Sequence, residues 1–353
     1  MADIASGAGA RARSFTGKVT TETLRAMKAL GQPAVMVTAY DYPTAVFADR
    51  AGVDLLLVGD SAAMTMMGLP ATTAIGMTEM MVFVRSVCRG ARRAFVVGDL
   101  PFLSYQPSDE VAVVNAGAFI AAGCDAVKCE GGARVAARVR AMTDAGIAVM
   151  GHLGLTPQSL GQLGGYRVQG KTSAQADRIV DDALALESAG AFAVLLEGMP
   201  AETAAQVRER VSIPVYGIGA GPSVDGQLLI SHDLLGSFVG EIRPRFVKRY
   251  ADVGAVIETA FRSYAADVRL GHFPTATHCY PASEHIASGG HSSVSRPKVR
   301  AVVGSPTAPR DPRRSRGPSS PRSSARTPLA SDPSHRVARA RHPAAETSPL
   351  DSR

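Results

Sequence analysis

Seven polar residues follow short apolar runs, and their types together suit metal, acid–base or carbonyl chemistry. They are Asp60, Ser61, Asp99, Lys128, Glu130, His152 and Glu197. The run Leu55–Val58 shows the pattern, because four apolar residues typical of a doubly buried strand lead through Gly59 into Asp60. Burying an unpaired carboxylate costs much free energy, so we expect Asp60 to lie where its strand leaves a core.

Asp60, Asp99 and Glu130 follow three predicted strands in series and are expected to converge. Converging carboxylates without a cation raise each other's pKa, and a divalent ion removes that repulsion. An all-oxygen ligand set favours Mg²⁺ over Mn²⁺ or Ca²⁺. Each acid taken alone is as readily a helix N-cap or a surface residue. The position of all three at strand ends favours a metal site.

The remaining candidates allow more than one interpretation. Lys128 lies two residues before Glu130, so both side chains point to the same face of a strand. Lys128 is either a salt-bridge partner of the acids or a cation for an anionic substrate. His152 follows Gly151 at a strand end and is either a structural histidine or a site residue. Glu197 closes an apolar run away from the three acids, which makes it the candidate general base.

Strand and helix patterns alternate about eight times, which predicts an α/β protein with a parallel sheet. A helix ending at Leu30, capped by Thr21 or Thr23, precedes the first strand. The predicted strands are 34–39, 55–58, 94–97, 126–130, 148–150, 192–196, 213–218 and, weakly, 236–240. Polar residues end at least five strands, which favours a (β/α)8 TIM barrel over a doubly wound open sheet with one switch point.

Charge and composition divide the chain into three parts. Residues 284–353 carry 13 of the 38 basic and 5 of the 31 acidic residues, a net charge of +8 that leaves −1 for the first 283. They hold 10 of the 22 prolines and no aromatic residue, which predicts a disordered basic Pro/Ser/Arg-rich tail. Residues 1–13 are expected to be a flexible N-terminus and 14–283 the barrel. The near-neutral barrel is not expected to bind nucleic acid or membrane.

The cysteines and the hydropathy pattern indicate a cytoplasmic protein. The four cysteines contain no C-x-x-C pair, so reduced thiols are expected rather than a zinc site or disulfides. No signal-peptide pattern opens the chain, and no run approaches the ~18 apolar residues of a membrane span. The glycines at 217–221 lack the spacing of a dinucleotide-binding loop.

Several motifs resemble those of the ketopantoate hydroxymethyltransferase (3-methyl-2-oxobutanoate hydroxymethyltransferase) family, in order, over about residues 15–283. They are Val-Thr-Ala-Tyr-Asp-Tyr at 37–42, Val-Gly-Asp-Ser at 58–61, Gly-Asp-Leu-Pro-Phe at 98–102, Val-Lys-Cys-Glu-Gly-Gly at 127–132, Gly-His-Leu-Gly-Leu-Thr-Pro-Gln-Ser at 151–159, Gly-Gly-Tyr-Arg-Val-Gln-Gly at 164–170, and Gly-Ile-Gly-Ala-Gly at 217–221 with Asp-Gly-Gln at 225–227. The two long motifs at 151–159 and 164–170 are very specific.

The resemblance implies a (β/α)8 barrel that assembles as a decamer and uses Mg²⁺ with 5,10-methylenetetrahydrofolate as one-carbon donor. By motif position, the implied metal ligands are Asp60, Asp99 and Glu130. The implied keto-acid contacts are Asp60, Ser61, Asp99, Lys128 and, less directly, His152. Glu197 occupies the place of the proton acceptor. The implied chemistry is a Mg-stabilised enolate of the 2-oxo acid that attacks the donor's methylene carbon.

Three departures from the family pattern affect the expected substrate fit and rate: the loop at 68–76, Cys129 and Gly198. The rival interpretations are another Mg-dependent 2-oxo acid lyase or mutase of the same barrel type, a Schiff-base aldolase using Lys128, and a non-catalytic paralogue.

Overall fold

The strands form one closed parallel barrel. A computed structural model describes residues 17–240 and 244–281. The strands are β1 Ala34–Thr38, β2 Leu55–Val58, β3 Phe95–Asp99, β4 Ala126–Glu130, β5 Val149–Gly154, β6 Ala193–Glu197, β7 Val215–Ile218 and β8 Gly226–Leu229. They pair in chain order and β8 returns to β1. The predicted flexible segment 1–13 and the predicted tail 284–353 lie outside the described residues.

Helices lie between all consecutive strands except β7 and β8, and further helices follow β8, which gives the predicted (β/α)8 TIM barrel. They are α1 Thr21–Ala29, α2 Tyr42–Arg50, α3 Ala62–Thr65, α4 Met77–Gly90, α5 Asp109–Ala121, α6 Ala136–Asp144, α7 Leu160–Leu163, α8 Ser173–Ser188, α9 Ala201–Arg210, α10 Ser231–Leu235 and α11 Val253–Leu270. The short 3₁₀ helices are Thr72–Ala74, Ala133–Val135, Pro157–Ser159 and Ala276–His278. The predicted N-terminal helix is present as α1, but its N-cap is Thr20 and not Thr21 or Thr23, which lie in its first turn.

Strand periodicity divides the apolar core into two layers. Leu55 and Leu57 belong to a cluster inside the barrel, whereas Leu56 and Val58 pack in the outer layer with residues of the helices. The inner cluster also contains Leu24 of α1, so this helix contributes to the core of the barrel. Because side chains alternate along a strand, the inner layer uses every second residue of each strand.

The same alternation places the functional candidates. Asp99, Lys128, Glu130, His152 and Glu197 have the parity of the inward-facing residues on β3, β4, β5 and β6. All five lie at the carboxyl ends of these strands, where barrel active sites are built. The sequence pattern therefore brings residues from four strands to one end of the barrel interior.

The predicted eighth strand at 236–240 is wrong. The eighth strand is β8, four residues long, with Gln227 exposed in its middle. Such a short and interrupted apolar run carries little signal by itself, and pairing with β1 and β7 supplies its strand conformation. Gly236 instead ends α10 with φ of 71°, the left-handed conformation that glycine adopts readily.

The helices and the cysteines of the described residues bear on the class of the protein. None of the helices within residues 17–240 and 244–281 combines the length and the hydropathy of a membrane span. All four cysteines fall in the described part as free thiols, and Cys88 Sγ lies 3.9 Å from Cys124 Sγ.

Candidate active site

Asp60 and Asp99 lie side by side at the mouth of the barrel. The Asp60 backbone N–H donates to Asp99 Oδ2 at 3.1 Å, and both side chains are buried. Burial raises the pKa of each carboxyl, and the neighbouring carboxylates raise it further. For Asp60 the charges of Asp99 and Glu130 both act in this direction. The three acids are therefore close enough to influence one another's protonation.

Lys128 is the cation inside this acid cluster. Its side chain is buried, and its Nζ lies 2.7 Å from Asp99 Oδ1 and 3.6 Å from Glu130 Oε1. Burial disfavours the charged form, but the negative charges of Asp99, Glu130 and Asp60 outweigh it and raise the Lys128 pKa well above its usual value. The charged ammonium form of Lys128 is therefore favoured at neutral pH.

Glu130 is bound on two sides. Its Oε2 accepts from the Gln158 backbone N–H at 2.9 Å, and its Oε1 lies 3.2 Å from His152 Nδ1. Although burial favours the neutral acid, the charges of Lys128 and His152 and these hydrogen bonds lower the Glu130 pKa. Glu130 is thus a carboxylate held in place by protein groups.

His152 links the acid cluster to Glu197. While its Nδ1 faces Glu130, its Nε2 lies 3.3 Å from Glu197 Oε2, a charge contact not aligned as a hydrogen bond. Burial and the Lys128 charge lower the His152 pKa, but the two carboxylates outweigh them and raise it to about 9. Of the two interpretations left open by the sequence, the site residue fits this geometry.

Ser61 begins α3 beside Asp60, and its orientation depends on a residue that the sequence did not single out. The Tyr40 hydroxyl lies 2.8 Å from Ser61 Oγ. Tyr40 is buried against the ring of His232, with ring centroids 5.5 Å apart. Burial raises the pKa of Tyr40 to about 12, so the phenol stays neutral and can hold the serine hydroxyl.

Gln158 and Tyr105 are the other residues that sequence reasoning missed. Gln158 Nε2 donates to Asp60 Oδ2 at 2.9 Å, and the Tyr105 hydroxyl lies 2.8 Å from Gln158 Oε1. The Gln158 position falls in the recognised 151–159 motif, between the end of β5 and α7. Its position just beyond a strand end could have indicated a site residue, but a neutral amide is less conspicuous there than a charged side chain.

Asp60 and Asp99 suit a divalent cation, but Asp60, Asp99 and Glu130 do not together form a set of three metal ligands. In the described part of the chain, no three His, Cys, Asp or Glu side chains stand in an arrangement ready to hold a metal ion. Asp99 Oδ1 faces the Lys128 ammonium and Oδ2 accepts from the Asp60 N–H, while Asp60 Oδ2 accepts from Gln158 Nε2. A carboxylate has about four lone-pair sites, so both acids keep lone pairs for a cation. Glu130 is turned to His152 and Lys128. Two carboxylates with water and substrate are a usual Mg²⁺ set.

The closed barrel, with acids, a lysine and a histidine at the carboxyl ends of its strands, defines this chain as a TIM-barrel enzyme. A solved structure of phosphonopyruvate hydrolase shares the fold, with a TM-score of 0.50, 14% identity and coverage of 76% of this chain and 93% of that one. The family model described as ketopantoate hydroxymethyltransferase matches residues 18–276. The chain belongs to this family, which confirms the resemblance of its motifs.

Curated relatives carry the same description. The chain is 48% identical over 270 residues to 3-methyl-2-oxobutanoate hydroxymethyltransferase of Carboxydothermus hydrogenoformans, covering 76% of this chain and 98% of that protein. It is 51% identical over 249 residues to the protein of that name from Syntrophobacter fumaroxidans, covering 70% and 88%. The relative from Moorella thermoacetica is 50% identical over 264 residues, with 74% and 98% covered.

Two of the three departures have a local structural account. Cys129 is buried in the outer layer, away from the barrel interior, and burial raises its thiol pKa to about 12. Gly198 has φ of 57°, and a Cβ there would lie 3.1 Å from Leu155 Cβ. Both residues therefore fit their packing. In the loop at 68–76, residues Thr72–Ala74 form a 3₁₀ helix.

Proposed function

We propose that this chain transfers a hydroxymethyl group from 5,10-methylenetetrahydrofolate to 3-methyl-2-oxobutanoate and forms 2-dehydropantoate, a step of pantothenate biosynthesis. The family and the names of its relatives support this reaction. The observation that carries it is the arrangement at the mouth. Asp99 ends β3, and Lys128 and Glu130 lie on β4. Glu197 ends β6, and His152 on β5 lies between Glu130 and Glu197.

A 2-oxo acid suits the first half of this site. Its carboxylate is an anion for the Lys128 ammonium, and the Ser61 hydroxyl is a donor for its oxygens. Asp60, Asp99 and, by motif position, Glu130 would hold Mg²⁺. When bound, Mg²⁺ supplies a Lewis acid that polarises the keto group.

Glu197 suits the second half, as the base that takes the proton from C3 of the keto acid. Its side chain is 17% exposed, so substrate can reach it, and its Oε2 lies 3.3 Å from His152 Nε2. Lys128 stabilises the negative charge that then develops on the keto oxygen. The new bond joins C3 to the donor's methylene carbon, and water supplies the hydroxyl oxygen. Both bonds from that carbon to the folate nitrogens break with their electron pairs on nitrogen, and the C3 proton and one water proton end on those two nitrogens.

The rival activities have less support. A Schiff-base lysine must lose its proton to act as a nucleophile, whereas Lys128 is held protonated by Asp99 and Glu130. The fold likeness to phosphonopyruvate hydrolase at 14% identity shows fold alone and adds no lyase or mutase activity. A non-catalytic paralogue would have no need to keep buried charges that cost free energy.

Chelation is expected to remove the activity. Without a cation, Asp60 and Asp99 repel the anionic substrate and each other. We predict that EDTA abolishes 2-dehydropantoate formation from the two named substrates, and that added Mg²⁺ restores it. Mg²⁺ at about 100 times its Kd should also stabilise the fold by about 2.7 kcal/mol, seen as a higher Tm. Full turnover in EDTA, or no product under either condition, would overturn this part of the proposal.

We propose that the chain forms a homo-oligomer through α11, with the decamer implied by the family as the candidate assembly. None of the residues of α11 is buried in this chain. Its apolar face carries Ile257, Phe261, Tyr264 and Val268 at helical spacing, and Phe261 is 69% exposed. An exposed apolar stripe of this kind marks an interaction site, and a second copy of the chain is the proposed partner.

Phe261→Glu is expected to break this assembly, because it places a charge in an apolar interface. We predict a smaller mass by light scattering coupled to size-exclusion chromatography. Arg262→Glu, on the charged face beside it where Arg262 pairs with Glu258, is the matched control and should keep the mass of the parent. A parent protein that runs as a monomer would disprove the assembly.

A further inference from the structure

Gln158 donates hydrogen bonds to two of the candidate metal ligands, Asp60 and Glu130. Its backbone N–H donates to Glu130 Oε2 at 2.9 Å, and its side-chain Nε2 donates to Asp60 Oδ2 at 2.9 Å. One residue from the β5–α7 connection therefore binds an acid from β4 and the acid that follows β2. It is buried, with 6% of its surface exposed.

The orientation of the Gln158 amide is fixed by its other partners. Nε2 also donates to the Leu100 carbonyl at 2.9 Å, and Oε1 lies 2.8 Å from the Tyr105 hydroxyl and 3.2 Å from Gln106 Nε2. Both protons and both lone pairs of the amide are used. A flipped amide would set its oxygen against the Leu100 carbonyl and the Asp60 carboxylate, so one orientation is strongly preferred.

The loop that carries Gln158 is itself anchored. The Tyr105 hydroxyl, which contacts Gln158 Oε1, accepts from the Glu130 backbone N–H at 2.9 Å. This hydrogen bond anchors Tyr105 to β4. The Leu155 N–H donates to the Glu197 carbonyl at 2.9 Å, which ties the start of the loop to the end of β6. The amide therefore has a fixed frame from which to hold Asp60.

We propose that Gln158 is a positioning residue that orients Asp60 and Glu130 for the divalent metal. This rests on the proposed function for its substrate, but the claim concerns the metal site alone. By holding Asp60 Oδ2 and Glu130 Oε2, Gln158 leaves the other Asp60 oxygen for the cation. Residues that orient metal ligands through hydrogen bonds typically contribute about 10–100-fold to metal affinity.

The test is Gln158→Met, which keeps the length of the side chain and removes the amide. We predict an unchanged far-UV circular dichroism spectrum and a Kd for Mn²⁺ about 10–100-fold higher, measured by electron paramagnetic resonance. The apparent KM for the keto acid should rise, and excess Mg²⁺ should restore most of kcat. Gln162→Met is the matched control, since Gln162 lies exposed in α7, just beyond Gln158, and its Oε1 accepts from Arg134 rather than contacting the acids.

If Gln158→Met does not fold, Gln158→Asn gives the same information, because its amide is one carbon too short to reach Asp60. An unchanged Mn²⁺ Kd in a folded variant, or an equal loss in Gln162→Met, would refute the positioning role. The parent protein could make no product while Gln158→Met still weakens Mn²⁺ binding as predicted. That result would refute the proposed function and leave the inference about Gln158 intact.

Discussion

Replacing Glu197 by Gln is expected to lower turnover by about 10²–10⁴-fold, the usual contribution of a general base. The amide keeps the size of the side chain but cannot take the C3 proton. Deuterium exchange at C3 of 3-methyl-2-oxobutanoate in D₂O needs no donor, so it isolates this step. We predict that the exchange is lost in Glu197→Gln while the keto acid still binds, because Lys128 and the acids of β3 and β4 are untouched.

Glu202→Gln is the matched control for this variant. Glu202 lies exposed in the first turn of α9, five residues beyond Glu197, and its variant should exchange at the rate of the parent. Exchange that persists at the parental rate in Glu197→Gln would remove Glu197 from the proton-transfer step.

Lys128→Met is expected to have the second large effect, on both stability and activity. The variant leaves Asp99 and Glu130 buried without their cation, which typically costs about 3–5 kcal/mol when one partner of a buried pair is removed. We predict a lower free energy of unfolding in urea, a smaller loss when Mg²⁺ is present, and no detectable transfer at moderate keto-acid concentration.

Lys18→Met makes the same substitution in a half-exposed pair with Asp125. Exposed pairs contribute about 0–1 kcal/mol, so this variant should stay close to the parent in stability. Equal destabilisation by the two substitutions would show that Lys128 is not the charge that neutralises the acid cluster.

The barrel and most of the site were predictable from local patterns. Alternation with a period of two, together with the parallel-sheet signature, is sufficient to put Asp99, Lys128 and Glu130 on the inner face at the same end. The family motifs agree with this because they lie at the same strand ends. The roles assigned to these residues remain predictions, since they concern substrate and metal contacts.

The remainder depends on tertiary contacts that leave little trace in the sequence. β8 is a strand because two neighbouring strands pair with it, and its own four residues are weakly patterned. Gln158 reaches Asp60 across 98 residues of sequence, and the neutral amide gives no charge signal. The turn of Glu130 toward His152 likewise follows from side-chain packing at the mouth.

The most direct measurement of the central claim follows the transferred carbon. Donor labelled with ¹³C in its methylene group is incubated with 3-methyl-2-oxobutanoate, Mg²⁺ and enzyme, and the products are observed by ¹³C NMR. The proposed function predicts that the label appears in the hydroxymethyl group of 2-dehydropantoate, and that Glu197→Gln does not produce this signal. Unlabelled keto acid recovered intact with the folded parent enzyme would contradict the proposed function.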